Sequence, residues 1–440
     1  MSTKICDIQE LYPKNAICNC INKIGLDPKI VRCICIRGEN KFMAYHKNKI
    51  VLIIPTYWRR KKSEGIKESD IFYDHPTPLD EEGTLKRAIE SLNILKDDFS
   101  LVILACANSV DVEEKAENKV RDIVQNIAFD KDAYLFSHSH LKKLKEFANS
   151  DLLSITGYSN IRNMCLVLSS ILDAEIAILI DDDEYITDPF FISKIKEDIG
   201  RNINGKIVYG LAGYYVNQYG SYELPEENTP WSAYWNPKSE MNKAFKKIIG
   251  TEPRIKETPF VFGGNMALHR NLYTKVPYDP NINRGEDIDY LINAKIFGYT
   301  FFLDNTLSVV HDAPPKPHPP WKLMREDIIR FVYERKKVQD CKPLFPLIRP
   351  EDFDPYPGEF IKENLEEKVY KSSVLLSIDA LLNGDTNGAK EFLNNISLVH
   401  KSGNLNYNIY NYLLDLQKRW ENLHLSLNKE KCKEVLEKCI

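Results

Sequence analysis

The sequence lacks several features that would indicate a particular class of protein. Its 440 residues carry a formal net charge of −4, so no excess of basic charge points to nucleic acid or to an anionic membrane. No window approaches the about 18 uncharged apolar residues of a transmembrane helix, so none is predicted. The first residues have no apolar segment of the kind that a signal peptide requires, so we expect a cytoplasmic protein.

Cysteine is present without the pattern of a disulfide framework. The ten cysteines are spread over the chain, and we expect reduced thiols. Two Cys-x-Cys pairs, Cys18/Cys20 and Cys33/Cys35, could form a four-thiolate zinc site, although zinc sites usually use Cys-x2-Cys. The alternative, which we favour, is that Cys33 and Cys35 are small apolar residues of an alternating strand.

The chain is long enough for roughly two or three domains, and glycine and proline are not in excess. Strand and helix patterns alternate from 49 to 192, which predicts a doubly wound parallel sheet. A proline-rich stretch at 313–320 then precedes segments of helical periodicity. We therefore predict an N-terminal extension at 1–48, two halves of one α/β domain at 49–200 and 201–312, a linker at 313–323 and a C-terminal helical region at 324–440.

Individual elements follow from the same patterns. The predicted strands are 49–56, 99–104, 133–136, 176–180, 207–215, 259–268, 299–303 and 307–310. The predicted helices are 85–92, 113–127, 160–172 and 284–297, followed beyond the linker by 324–339, 365–383, 386–399 and 405–440.

The most informative stretch runs from Ile176 to Tyr185, where five apolar residues lead directly into Asp181, Asp182 and Asp183. A short apolar run without alternation predicts a strand buried on both faces. The carboxylates then lie at the strand's C-terminal end, the edge at which open α/β sheets bind ligands. Adjacent carboxylates repel one another, and a divalent cation is the usual compensation, because hard cations take oxygen ligands. The alternative is a solvated acidic turn.

Three further segments have both a functional and a structural interpretation. The basic run Arg59–Lys62 follows the first strand, where it could contact a diphosphate or form a solvated face. The loop 225–237 contains Trp231 and Trp235, either as a platform for a sugar ring or as a small core. The paired Gly263 and Gly264 interrupt a predicted strand, which indicates close approach by a ligand or another backbone.

Taken together, these segments resemble the GT-A glycosyltransferases, most of all family 2 and its relatives. The resemblance covers roughly 49–312. Its motifs, in chain order, are Val51–Thr56, Asn108–Asp111, Arg162–Asn163, Asp181–Asp183, Gly263–Ala267, Gly285–Asp289, Gly298–Tyr299 and His311. The sequence departs from the family in its long insert at 57–82, in Cys106-Ala107 where relatives often have an acidic residue that reads the base, and in the tail after Pro320.

The resemblance implies a GT-A fold, which is an α/β fold with a doubly wound mixed sheet. It also implies a metal-dependent transfer of a sugar from a nucleotide-diphosphate donor to a hydroxyl acceptor. A Mn²⁺ or Mg²⁺ ion would stabilise the leaving diphosphate. The acceptor is left open as a saccharide, a small molecule or a lipid-linked glycan, and homo-oligomerisation is also left open. No nucleic-acid partner is expected.

The resemblance also implies roles for individual residues. It implies Asp183, Asp181 and His311 as metal ligands, Pro55, Thr56, Asp111, Arg162, Asp181 and Asp182 on the donor side, Gly263, Gly264, Asn265 and Trp231 on the acceptor side, and Asp287 as general base with Glu286 in reserve. Asp182 is expected to point away from the cation, because neighbouring strand residues face opposite sides. Asp289 is expected to stabilise the start of its helix.

Two alternative functions remain at this stage. A retaining GT-A enzyme that makes a small glycoside or osmolyte would share the acidic motif and the late histidine without needing a base. A non-catalytic sugar- or nucleotide-binding module would share the fold.

Overall fold

The computed structural model describes residues 49–65, 67, 73–148, 150–312, 314, 318–341, 348–402 and 405–439. The N-terminal extension predicted at 1–48, with the zinc alternative at Cys18, Cys20, Cys33 and Cys35, lies outside the described residues. The division into domains stays a prediction.

The strands form one large mixed sheet and a separate small hairpin. The strands of the large sheet are β1 (Ile50–Arg59), β2 (Thr77–Pro78), β3 (Ser100–Ala107), β4 (Ala133–Phe136), β5 (Ile176–Leu179), β6 (Glu184–Tyr185), β9 (Gly210–Val216), β10 (Ile255–Glu257), β11 (Met266–His269), β12 (Phe301–His311) and β13 (Glu437–Lys438). The hairpin consists of β7 (Asn202–Ile203) and β8 (Lys206–Ile207).

The helices cover both faces of the sheet and most of the C-terminal third of the chain. They are α1 (Leu85–Ser91), α2 (Glu113–Gln125), α3 (His138–Phe147), α4 (Tyr158–Ile171), α5 (Phe191–Asp198), α6 (Pro237–Ile248), α7 (Arg270–Tyr273), α8 (Glu286–Ile296), α9 (Pro320–Asp340), α10 (Leu365–Leu382), α11 (Thr386–Ser402), α12 (Ile409–Ser426) and α13 (Lys429–Lys433).

The strand order is β10-β12-β9-β11-β5-β1-β3-β4-β13, with β2 added to β1 and β6 added to β12. At the centre, β1 pairs in parallel with both β3 and β5, and β3 pairs in parallel with β4. β11 runs antiparallel between β5 and β9 and so joins the two halves of the sheet. All C-terminal ends of the parallel strands β5, β1, β3 and β4 therefore lie at one edge.

Alternating residues of the central strands enter two separate cores. Val51 and Ile53 of β1 pack with α4 and α8 on one face, whereas Leu52 and Ile54 pack with α1, α2 and α5 on the other. Both faces of the sheet are thus covered by helices, as apolar strands without alternation require. The predicted fold class, a doubly wound mixed α/β sheet, is confirmed.

Several element predictions were wrong in detail. β1 does not end at Thr56 but continues to Arg59, because β3 and β2 supply pairing partners that far. The strands predicted at 299–303 and 307–310 form the single strand β12, with an irregular register between Leu303 and Ser308.

Two other segments also differ from their predicted elements. The strand predicted at 259–268 is observed only from Met266, and β11 runs to His269, because the amides of Gly263 and Gly264 bind side chains instead of a neighbouring strand. The segment predicted as helix at 405–440 ends in β13, which pairs antiparallel with β4.

The cysteines of the described part, Cys106, Cys165, Cys341, Cys432 and Cys439, are free thiols. Within the same residues, no helix has both the length and the apolar character needed to cross a bilayer.

A buried ion pair attaches the C-terminal helices to the sheet domain. The Lys337 ammonium of α9 lies 2.5 Å from Asp289 Oδ1, 2.8 Å from Asn293 Oδ1 and 3.1 Å from Asp279 Oδ2. Lys337 and Asp289 are fully buried, and the ammonium has a partner for each of its three protons. Asp289 lies in the first turn of α8, as expected, but its carboxylate also anchors another helix.

We predict that Lys337→Ala lowers the free energy of unfolding by about 3–5 kcal/mol, because two buried carboxylates lose their cation. Lys336→Ala is the matched control. Lys336 is partly exposed and pairs with Asp340 one turn away, so its loss should cost less than about 1 kcal/mol. Urea unfolding followed by circular dichroism measures both, and equal losses would contradict the prediction.

Candidate active site

The acid turn, residues 181–184, follows β5 directly at the C-terminal edge of the sheet. The apolar run that ends in Leu179 and Ile180 is buried, so the chain emerges from the sheet at Asp181. The turn closes on itself: the amide of Glu184 donates to Asp181 O at 3.2 Å, and the amide of Asp181 donates to Glu184 Oε2 at 3.2 Å. Asp183 and Glu184 are buried.

The strand pairing of β6 with β12 brings His311 to the acid turn. Glu184 stands opposite His311 in the antiparallel register, and the amide of Asp312 donates to Asp183 O at 3.1 Å. His311 Nε2 therefore lies 3.4 Å from Asp183 Oδ2. Ligand atoms of Asp183, Glu184 and His311 all lie within 4.8 Å of one another.

Asp181 is paired with the buried guanidinium of Arg162 on α4. Arg162 Nη2 lies 2.7 Å from Asp181 Oδ1, and Arg162 Nε lies 3.3 Å from Glu286 Oε1 at the start of α8. Arg162 thus joins the acid turn to the helix that carries the predicted base. The structure groups Glu184, instead of Asp181, with Asp183 and His311, so Asp181 as a metal ligand stays a prediction.

Asp182 points to the first strand. Its Oδ2 accepts a hydrogen bond from Thr56 Oγ1 at 2.6 Å, and this contact fixes the acid turn to β1. Pro55, which precedes Thr56 in the sequence, lies within β1 opposite Leu104 of β3.

The basic run after β1 is partly neutralised by the protein itself. Arg60 Nη2 lies 2.6 Å and 2.8 Å from the two carboxylate oxygens of Asp111, and 3.1 Å from Ser109 Oγ. This interaction lowers the pKa of Asp111 to about 2. Asp111 is well exposed, whereas Arg60 is buried.

The paired glycines contact both halves of the site. The amide of Gly263 donates to Asp287 Oδ2 at 3.0 Å, and the amide of Gly264 donates to Tyr215 OH at 2.7 Å. A Cβ atom on Gly264 would lie 2.2 Å from Glu184 Oε1, so only glycine leaves room for that carboxylate. The Asn265 amide donates to Tyr214 O and Leu307 O, both at 3.1 Å, and ties β9 to β12.

Burial dominates the electrostatics of the acid turn. It raises the pKa of Asp181, and it raises the pKa values of Asp182 and Glu184 well above the usual range. Burial also opposes ionisation of Asp183, but the hydrogen bond and the charge of His311 leave the pKa of Asp183 below its usual value. Burial raises the pKa of Glu286 to about 7 although Arg162 lies beside it.

The residues present fit a divalent cation. Glu184 Oε1 is buried without a hydrogen-bond partner in the described part of the chain, beside the carboxylate of Asp183 and the imidazole of His311. An unpaired buried carboxylate oxygen is costly unless a cation or a proton compensates it. Two carboxylates and one imidazole form a ligand set that a divalent cation such as Mn²⁺ or Mg²⁺ could use.

One cleft of about 980 Å³ brings many of these residues together. Of the residues proposed from the sequence, it is lined by Arg162, Asp181, Asp183, Trp231, Gly263, Glu286, Asp287 and His311. Thr56 and Asp182 bind each other and do not line this cleft, and Asp111 pairs with Arg60 at the end of β1.

Two residues of the site were missed in the sequence analysis. Glu184 follows the three aspartates directly, and this adjacency was an available signal. The sequence gives no signal for Tyr215, because its contacts depend on the tertiary fold. Its hydroxyl accepts a hydrogen bond from the Gly264 amide, and the centre of its ring lies 4.7 Å from that of His311.

Comparisons with known proteins were made for sequence and for structure. No protein-family model matches the sequence, and no curated protein matches it. Among solved structures, the chain is similar to the mannosyltransferase PcManGT from Pyrobaculum calidifontis in complex with GDP-Man and Mn²⁺, with 12% identity, a TM-score of 0.45 and coverage of 86% of each chain. It is also similar to GalNAc-T7 with UDP, GalNAc and Mn²⁺, with 12% identity, a TM-score of 0.33 and coverage of 73% of this chain and 57% of that one.

We predict that Glu184→Gln weakens Mn²⁺ binding by about 10–100-fold, because a buried carboxylate beside Asp183 and His311 loses its charge. Gly264→Ala should weaken it by about tenfold or more, since its methyl group displaces the Glu184 carboxylate. Electron paramagnetic resonance of free Mn²⁺ measures both.

The control is Glu175→Gln, just before β5 and hence at the opposite end of the same strand. It should leave Mn²⁺ affinity unchanged. Wild-type affinity in both Glu184→Gln and Gly264→Ala would exclude Glu184 from the metal group.

Proposed function

We propose that this protein is a metal-dependent glycosyltransferase that transfers a sugar from a nucleotide-diphosphate donor to a hydroxyl acceptor. The observation that carries the proposal is the single cleft in which a group suited to a divalent cation, Asp183 and His311, faces the carboxylates of Glu286 and Asp287. A cation to stabilise the leaving diphosphate and a general base for the acceptor hydroxyl are the two groups that a transfer with inversion needs.

The donor end of the cleft is assigned to the acid turn. Asp183, Glu184 and His311 would hold Mn²⁺ or Mg²⁺, which when bound supplies Lewis-acid stabilisation of the departing diphosphate. Arg162 holds Asp181 in place, and Thr56 holds Asp182, so that the turn keeps its shape. The exposed Asp111 remains a candidate for contact with the nucleoside.

The acceptor end of the cleft is assigned to α8 and the Gly263 segment. Asp287 is partly exposed in the cleft, and its oxygens accept hydrogen bonds from the amides of Gly263 at 3.0 Å and Ile288 at 2.8 Å. These neutral donors orient the carboxylate without removing its charge. Glu286 is instead buried, and its Oε1 lies 3.3 Å from the Arg162 guanidinium, so it is the reserve candidate for the base.

We further propose that transfer proceeds with inversion, by a single displacement in which Asp287 takes the proton of the acceptor hydroxyl. An inverting enzyme requires a general base beside the acceptor hydroxyl, whereas a retaining enzyme does not. The sugar, the base of the nucleotide (uracil or guanine) and the acceptor are to be found by experiment.

The decisive experiment is a panel of UDP- and GDP-sugars incubated with the full chain, with product release followed by NMR. We expect slow hydrolysis of at least one donor with Mn²⁺, loss of that activity in EDTA, and a decrease of about 100-fold or more in Asp183→Asn. No hydrolysis of any donor would favour the alternative of a non-catalytic binding module, whereas hydrolysis that persists in EDTA would contradict the assignment of a metal-dependent enzyme.

For the stereochemistry, we predict that Asp287→Asn lowers turnover by about 10²–10⁴-fold, because the acceptor loses its general base. The dissociation constant for the donor should stay near the wild-type value, as measured by calorimetry. Asp130→Asn, at an exposed aspartate, is the control and should change neither quantity. A mild effect of Asp287→Asn, or a product with the anomeric configuration of the donor, would favour the retaining alternative.

A further inference from the structure

The cleft that contains the acid turn also has an apolar wall, and the C-terminal helices supply part of it. Met324 of α9, Leu376 of α10 and Phe392 of α11 line this wall together with Trp231 and Trp235. The three helices come after residue 312, where the resemblance to a known family ends. The resemblance therefore assigns no ligand to them.

The apolar surface is continuous with the candidate metal group. The ring of Tyr215 lies 4.7 Å from that of His311, and the ring of Phe262 lies 4.6 Å from that of Tyr215. Phe245 follows at 5.1 Å from Phe262. Phe262 directly precedes Gly263, whose amide binds Asp287. An acceptor whose hydroxyl reaches Asp287 therefore meets an apolar surface immediately beside that hydroxyl.

The charged side chains along this part of the cleft pair with one another. Arg330 Nη2 lies 2.7 Å from Tyr356 OH and 3.3 Å from Asp327 Oδ1. Arg284 lies 3.5 Å from Asp327 and 3.6 Å from Asp74. Their charges are thus compensated within the protein, although Arg330 Nε and Nη1 are buried without a hydrogen-bond partner among the described residues.

The balance of polar groups favours an apolar ligand over a sugar chain. Other polar lining residues, among them Asn217, Ser221, Glu223 and Lys238, are exposed, as at a rim. A sugar chain buried against the wall would leave hydroxyl groups without partners, which is costly, whereas an apolar group loses nothing there.

We propose that the acceptor carries an apolar group, either an aryl ring or an alkyl chain, next to the hydroxyl that receives the sugar, and that Met324, Leu376 and Phe392 bind this group. The assignment of the ligand as an acceptor rests on the proposed glycosyltransferase function. The apolar pocket itself rests on the lining of the cleft.

The outer face of α10 provides a matched control for this pocket. Ile378, Leu381 and Leu382 are exposed on the same helix that directs Leu376 into the cleft. An amphiphilic probe that only adsorbs to exposed apolar surface would depend on this outer face and not on Leu376.

The test uses three glycosides with the same sugar: methyl, phenyl and n-octyl β-D-glucopyranoside, the last below its critical micelle concentration. Binding to the full chain is measured by calorimetry. We expect the phenyl or the octyl glycoside to bind about tenfold or more tightly than the methyl glycoside. Tighter binding of the phenyl glycoside indicates an acceptor with an aryl ring, and tighter binding of the octyl glycoside indicates an acceptor with an alkyl chain.

Three variants test whether the apolar group binds at the wall formed by the C-terminal helices. Leu376→Gln should remove most of the preference, whereas Leu381→Gln should keep it. Met324→Gln, on a different helix, repeats the test if Leu376→Gln unfolds, which near-UV circular dichroism reveals. Equal binding of all three glycosides, no detectable binding of the apolar ones, or a loss that follows Leu381→Gln overturns the proposal.

Donor hydrolysis separates this proposal from the proposed function. If metal-dependent hydrolysis is intact and the preference for an apolar group is absent, the apolar pocket is wrong and the transferase assignment stands. If the preference and its loss in Leu376→Gln are found without hydrolysis of any donor, the pocket stands and its ligand is not an acceptor.

Discussion

Four consecutive carboxylates at one edge of the sheet determine how the surrounding elements meet. Each acid of the turn 181–184 is compensated from a different part of the chain. Thr56 on β1 binds Asp182, Arg162 on α4 binds Asp181, and His311 on β12 stabilises the charge of Asp183. The hydroxyl of Tyr215 on β9 acts to lower the pKa of Glu184, against the larger effect of burial. Because buried like charges without partners are costly, these four elements converge on the turn. The compensation remains incomplete at Glu184 Oε1, which is where a cation fits.

The C-terminal helices act on the same site from the side of α8. The φ angle of Gly285 is +70°, and a Cβ atom there would lie 2.5 Å from Arg330 Nη1, so α9 packs directly against the residue that precedes Glu286. One turn further along α8, Asp289 is held by Lys337 of the same helix α9. The first turn of α8, which carries Glu286 and Asp287, is thus held at both ends by α9. The tail is therefore part of the site's support and not an independent appendage.

The features that depend on residues close together in the sequence were predicted well. The apolar run before Asp181 was sufficient to predict β5 and the position of the acids, because burial on both faces requires such a run. The role of Glu184 was missed because it depends on the pairing of β6 with β12, a contact between distant segments. His311 was proposed only through the family resemblance, since a lone histidine at a strand end has no local signal. The segment before Met266 was misassigned because its amides bind side chains, which periodicity does not show.

The paired glycines are the point at which the two halves of the site depend on each other. Gly264 leaves space for the Glu184 carboxylate, while the amide of Gly263 orients the carboxylate of Asp287. A displacement of this segment would therefore disturb the candidate metal group and the candidate base together. Arg162 forms a second link between the halves, since it binds both Asp181 and Glu286. A site with two such links holds the candidate metal group and the candidate base in a fixed relation, which the proposed direct displacement would require.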